Sequence, residues 1–186
     1  MHAILQSFLL VFVSEIGDKT QLIALLLATK FKRPWAIMAG ILIATLLNHG
    51  LASYLGGWGA NLFAPQTLRW ILSGLFVGFG LWILIPDKEE EISDKKNFGA
   101  FFTTLVVFFL AEMGDKTQLA TVALGAKFNS IILVTAGTTL GMLAADGLVV
   151  FLGDNIVKKI PLQIIRYIAC ATFIIFALLI GLENFI

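Results

Sequence analysis

The 186 residues predict an all-α integral membrane protein, its six transmembrane helices folded as two inverted three-helix repeats. Three observations carry that expectation. Hydrophobic residues make up 59% of the chain and charged residues only 13%, and the mean hydropathy is +0.93, too apolar for a water-facing surface of ordinary charge density. Six apolar windows of the length that crosses a bilayer, about 20 residues, can be laid end to end. The first half of the sequence is also echoed in the second at a fixed offset of 97 residues.

The first window, Ile4–Thr29, has no basic leader and no A-x-A cleavage pattern and runs directly into Glu15 and Asp18, so it is expected to be retained as a span. Trp35–Gly56 and Thr67–Ile85 follow. Trp35, Trp58, Trp70 and Trp82 fall near their ends, where an amphipathic indole prefers to lie. A polar connection, PDKEEEISDKKN from Pro86 to Asn97, divides the chain. Residues 1–85 form the first repeat, 86–98 a cytoplasmic linker and 99–186 the second repeat. The second repeat contains Gly99–Ala126, Ile131–Leu152 and Leu162–Leu182. Sixteen Phe residues are read as lipid-facing bulk and packing, and Asp154 and Glu183 as span-end residues that cap or snorkel. Connections after windows one, three and five hold Lys30, Lys32, Arg33, Lys88, Lys95, Lys96, Lys158 and Lys159; those after two and four hold only Arg69 and Lys127. The basic side is expected to be cytoplasmic, which puts both termini outside the cytoplasm.

Composition excludes other classes. Thirteen Lys or Arg against twelve Asp or Glu leave a formal charge of +1, without the basic excess that binding nucleic acid requires. The lone Cys170 can form neither an internal disulfide nor a cysteine metal site.

The repeat is sharpest where Glu15-Ile-Gly17-Asp18-Lys19-Thr20-Gln21-Leu22 aligns with Glu112-Met-Gly114-Asp115-Lys116-Thr117-Gln118-Leu119; ten of the seventeen positions from Glu15 to Phe31 are identical to their counterparts. Gly40 pairs with Gly137, Gly50 with Gly147, Gly56 with Gly153 and Arg69 with Arg166. Three spans per repeat make the second copy enter the membrane in the opposite sense, and inverted repeats are a recurrent plan of secondary transporters. Both motifs fall near mid-span, where a charged residue costs about 2.5–3.5 kcal/mol and calls for compensation.

On a continuous helix, Glu15 with Asp18 and Glu112 with Asp115 share a face, and antiparallel pairing brings the two faces together. Four carboxylates, joined by Thr20, Gln21, Thr117 and Gln118 or by carbonyls freed near Gly17 and Gly114, suit a hard dication such as Mg2+, Ca2+ or Mn2+. Crowded like charges in a low dielectric hold protons when the metal is absent, so exchange of metal for protons keeps the buried charge tolerable. Lys19 and Lys116 are either internal counter-ions of transport or i to i+4 partners of Glu15 and Glu112. Asn48 and His49 align with Ala145 and Asp146, breaking the repeat. Asp146 is a candidate for a proton route or supporting network, or else a capping or water-bonded aspartate, and His49 stands alone with no second intramembrane histidine to form a soft-metal site.

The doubled E-x-G-D-K-T-Q motif resembles the family of Golgi and bacterial manganese or calcium transporters defined by two E-x-G-D-[KR]-[TS] sequences, and the resemblance covers essentially the whole chain. The compact form is most similar to the family's bacterial manganese exporters. The resemblance implies a metal site of Glu15, Asp18, Glu112 and Asp115, with Lys19, Thr20, Gln21, Lys116, Thr117 and Gln118 at the other matched positions. It implies cation:proton antiport, with export of Mn2+ across a bacterial inner membrane. Ca2+/H+ exchange is the alternative. No permanently bound cofactor and no obligate protein partner is expected; the partners are the transported ion, protons and the bilayer. A passive channel needs no inverted repeat with lysines beside its acids. An intramembrane lipid phosphatase lacks a phosphate-binding arginine in either motif, so an enzyme is not expected. An amino-acid exporter lacks a cation to meet its substrate's carboxylate.

Overall fold

A computed structural model describes residues 2–85, 98–153 and 162–182; most of the polar linker, the lysines at 158 and 159, Asp154 and Glu183 lie outside the described residues. Among the described residues there are eight helices and no strand: α1 (His2–Glu15), α2 (Lys19–Phe31), α3 (Pro34–Ala60), α4 (Pro65–Trp82), α5 (Gly99–Glu112), α6 (Lys116–Phe128), α7 (Ile131–Leu152) and α8 (Leu162–Leu182). Pro34 and Pro65 open their helices at the first position, where the missing N–H costs nothing.

The first and fourth expected spans are not continuous. Each breaks inside the motif, at Gly17 with φ +79° and Gly114 with φ +76°, a left-handed conformation that stops a right-handed helix and that glycine adopts without a Cβ clash. Glu15 and Asp18 therefore do not share one helix face, and neither do Glu112 and Asp115. α1 and α5, with 14 residues each, are apolar but short; α3, α7 and residues 163–182 of α8 are long and apolar enough to cross a membrane. Expected windows two and three shift outward at their starts, to the two prolines.

The backbone repeats where the sequence does. Lys32 and Asn129, 97 residues apart, end α2 and α6 in left-handed conformations and donate their N–H groups to Ala28 and Gly125 at 3.0 Å. A Cβ on Gly40 would stand 2.8 Å from the Phe101 carbonyl oxygen, and one on its mate Gly137 would stand 2.5 Å from that of Ile4, the mate of Phe101. These glycines let α3 lie directly on α5 and α7 on α1, the close approach that small residues permit in apolar surroundings.

Four of the phenylalanines assigned to bulk form the seam between α4 and α8. Phe76 meets Phe173 with ring centres 6.0 Å apart and Phe176 at 5.2 Å, and Phe79 meets Phe173 edge-on at 6.5 Å. Phe173 and Phe176 are the repeat mates of Phe76 and Phe79, so the two halves contribute equally. Such ring pairs add about 0.5–1.5 kcal/mol each beyond their burial. Large apolar side chains, among them Trp35, Trp58, Trp70 and Ile132, face outward, while acids, amides and hydroxyls are packed inside. That is the reverse of a water-soluble domain, whose exposed apolar patches are small.

Candidate metal site

The site is built where the two helix breaks meet. α1 ends at Glu15, the chain turns through Gly17, and Asp18 stands in extended conformation as the residue before α2. The rest of the motif holds this turn. Gly17 N–H donates to the Gln21 Oε1 at 2.8 Å, satisfying a backbone group freed by the break, and the Thr20 hydroxyl donates to Glu15 Oε2 at 2.6 Å. Gln21 Nε2 then donates to the Ala145 carbonyl on α7 at 2.9 Å, fastening the turn to the other half.

The second motif repeats the design. Gly114 N–H donates to Gln118 Oε1 at 2.7 Å, and the Thr117 hydroxyl lies 3.2 Å from Glu112 Oε2 and 3.3 Å from Asp115 Oδ2. Gln118 Nε2 donates to Asn48 Oδ1 at 3.3 Å, and Asn48 Nδ2 donates to the Phe109 carbonyl at 3.0 Å. Asn48 thus stands in for the backbone carbonyl that Ala145 supplies in the other half. The glutamines, considered from sequence as ligands, brace the turns.

Glu15, Glu112 and Asp115 converge, each offering a carboxylate oxygen within 4.8 Å of the others. Both glutamates are fully buried. Asp18 lies outside that trio and pairs with Lys116 Nζ at 3.6 Å, while Lys19 Nζ reaches Asp115 at 3.5 Å. Each lysine therefore crosses to the aspartate of the opposite motif. The i to i+4 spacing with Glu15 or Glu112 is not a helical neighbourhood here, because each glutamate ends one helix and each lysine begins the next.

Several buried polar atoms around the trio have no hydrogen-bond partner among the described residues: Glu15 Oε1, Glu112 Oε1, both oxygens of Asp146 and both ring nitrogens of His49. Native interiors leave few such atoms, since each costs about 1–3 kcal/mol when unsatisfied. Carboxylate oxygens without donors, at the C-terminal, electronegative ends of α1 and α5, fit a hard cation as cargo. His49 Nε2 lies 3.9 Å from Glu112 Oε2. Sequence reasoning set His49 aside as solitary; its repeat register opposite Asp146 was the signal that could have retained it.

Comparison with known proteins bears on the same residues. The family model described as divalent cation/proton antiporter GDT1 matches residues 3–91 and 100–185. A "Putative manganese exporter" of Vibrio cholerae is 44% identical, over 96% of this chain and 90% of its own length. GDT1-like protein 5 of Arabidopsis thaliana is 29% identical over 96% of each chain, and GDT1-like protein 3 of Oryza sativa subsp. indica is 30% identical over 94% of this chain and 72% of its own. No solved structure matches.

Proposed function

The chain belongs to the GDT1 family of divalent cation/proton antiporters, and on that premise we propose that it exports Mn2+ from the cytoplasm in exchange for protons, by alternating access around a midplane site of four carboxylates. It is a transporter and not an enzyme. The reading is carried by the meeting of Glu15, Glu112 and Asp115 from two distant stretches of chain, with a glutamate oxygen left without a partner on each side. Asp18 completes the set once Lys116 releases it.

Charge supports exchange. Four acids and two lysines in the motifs carry a formal charge of two negative, which either one dication or two protons cancels. Leaving that charge uncompensated in low dielectric is the costly alternative, so metal and protons replace one another. Asp146, buried and without a hydrogen-bond partner, is the further acid by which protons reach the site. Thr20 and Thr117 orient the glutamates, and Gln21, Gln118 and Asn48 hold the turns. Ca2+/H+ exchange is the second reading, favoured by a trio made only of carboxylates.

Six spans in two inverted repeats follow when α1 with α2 and α5 with α6 each count as one broken crossing, the arrangement by which transporters bring helix ends to a substrate. Residues 1–85 and 99–186 are then the two repeats, 86–98 is a cytoplasmic linker, and both termini lie on the side of a bacterial inner membrane away from the cytoplasm. Alternating access draws support from a difference between equivalent seams. A Cβ on Gly56 would fall 1.9 Å from the Val122 carbonyl oxygen, so α3 and α6 are in backbone contact there, whereas nothing among the described residues lies within 4 Å of a Cβ on its mate Gly153, the residue that ends α7. The two seams are closed to different degrees, α3 lying along α6 more extensively than α7 along α2, as expected of a carrier resting in one of two related states.

Purified protein in proteoliposomes tests the reading, with Mn2+ and Ca2+ flux followed under imposed pH gradients. We expect Mn2+ movement coupled to proton counterflow and its loss in Glu15→Gln and Asp115→Asn. Undiminished flux in both variants removes the carboxylates from the mechanism.

A further inference from the structure

We infer that His49 is a ligand of the transported ion, and that its nitrogen favours a transition-metal dication over Ca2+. The inference rests on the carboxylate site proposed above and adds a donor of a different kind. His49 lies on α3, fully buried, with neither ring nitrogen hydrogen-bonded to any of the described residues. At 3.9 Å from Glu112 Oε2, its Nε2 is too far for a hydrogen bond. Two ligands held roughly 2.1–2.6 Å from one ion stand about 3–5 Å apart, so the separation from Glu112 suits a shared cation, although His49 stands outside the trio whose oxygens lie within 4.8 Å of one another. Asp115, a member of the trio, also lies close enough to His49 to act on it electrostatically.

The repeat gives the donor its meaning. The position 97 residues later is Asp146, whose two oxygens are equally buried and unpartnered. One half thus offers nitrogen where the other offers oxygen, and the centre is chemically lopsided despite its duplicated origin. Ca2+ and Mg2+ take oxygen ligands, whereas nitrogen ligation gains strength along the first-row series that begins at Mn2+. A single imidazole therefore penalises Ca2+ without excluding Mn2+.

The test is electron spin-echo spectroscopy of Mn2+ bound to the purified 186-residue chain, read for coupling to 14N. Assignment is clean because the only other histidine is His2. We expect 14N modulation in the wild type and its loss in His49→Gln and His49→Asp, with Mn2+ still bound. In His49→Asp, which copies the oxygen donor of the other half, the Mn2+/Ca2+ affinity ratio should fall by about tenfold or more. Bound Mn2+ without nitrogen coupling in the wild type overturns the ligand assignment alone, as does coupling that persists in His49→Gln. Wild-type protein that binds no Mn2+ overturns the carboxylate site and this ligand together. Should a variant fail to fold, the wild-type spectrum decides by itself.

Discussion

The residues of E-x-G-D-K-T-Q divide the mechanical work among them. The glutamate ends a helix, the glycine turns, the aspartate precedes the next helix, the threonine and glutamine fold back on the turn, and the lysine crosses to the partner motif. The acids were legible from sequence because charge at mid-span stands out against an apolar background. The crossing of the lysines was not, since spacing along a chain carries no information about contacts between two helix breaks. Lys116 is paired with Asp18, so in the proposed site the ammonium and the cation compete for one carboxylate. Replacing it in Lys116→Met removes a positive charge from the vicinity of the dication, so we expect tighter Mn2+ binding and slower release, a lower KM together with a lower kcat in flux assays. A rise in KM would indicate instead that the ammonium helps to assemble the site.

At the scale of the element, the informative discrepancy is the break in α1/α2 and α5/α6. An apolar window counts hydrophobic residues and is blind to one torsion, and a glycine inside a helix costs only about 1 kcal/mol relative to alanine, so Gly17 and Gly114 gave no signal strong enough to divide a 26- or 28-residue window. Gly114 has open space around the position of a Cβ, which leaves its positive φ as the sole obstacle to substitution. Gly114→Ala should cost about 1–2 kcal/mol, and Gly114→Asn clearly less, because asparagine visits the left-handed region more readily. Thermal unfolding in detergent would resolve the order, with transport falling in the same sequence. Equal midpoints for the two variants would show that the turn survives without a left-handed residue. The long helices α3, α7 and α8 were legible because length and hydropathy suffice for them.

For the whole molecule, the duplicated sequence predicted two equivalent units, and the packing pairs their parts across the chain: α1 with α7, α3 with α5, and α4 with α8. The halves are interleaved more than adjacent. The phenylalanines of the α4–α8 seam are legible in sequence as bulk and packing but not as a pairing, since that depends on which repeat mates meet. With so much apolar area shared, the covalent connection contributes little to association, and residues 1–90 and 91–186 expressed as separate polypeptides should assemble and restore Mn2+ tolerance to a sensitive host. Copurification of the two fragments checks assembly independently of activity; fragments that fold yet remain apart would contradict it.

The glycine at each break also bears on how a tightly held ion is let go. An oxygen cage mounted on one rigid rod can loosen only if the rod itself deforms. Here the glutamate hangs from one half-helix and the aspartate from the next, with a pivot free of side-chain bulk between them. On the proposed mechanism, swinging either half-helix by a small angle draws the oxygens apart, so grip and discharge become two settings of a single backbone joint.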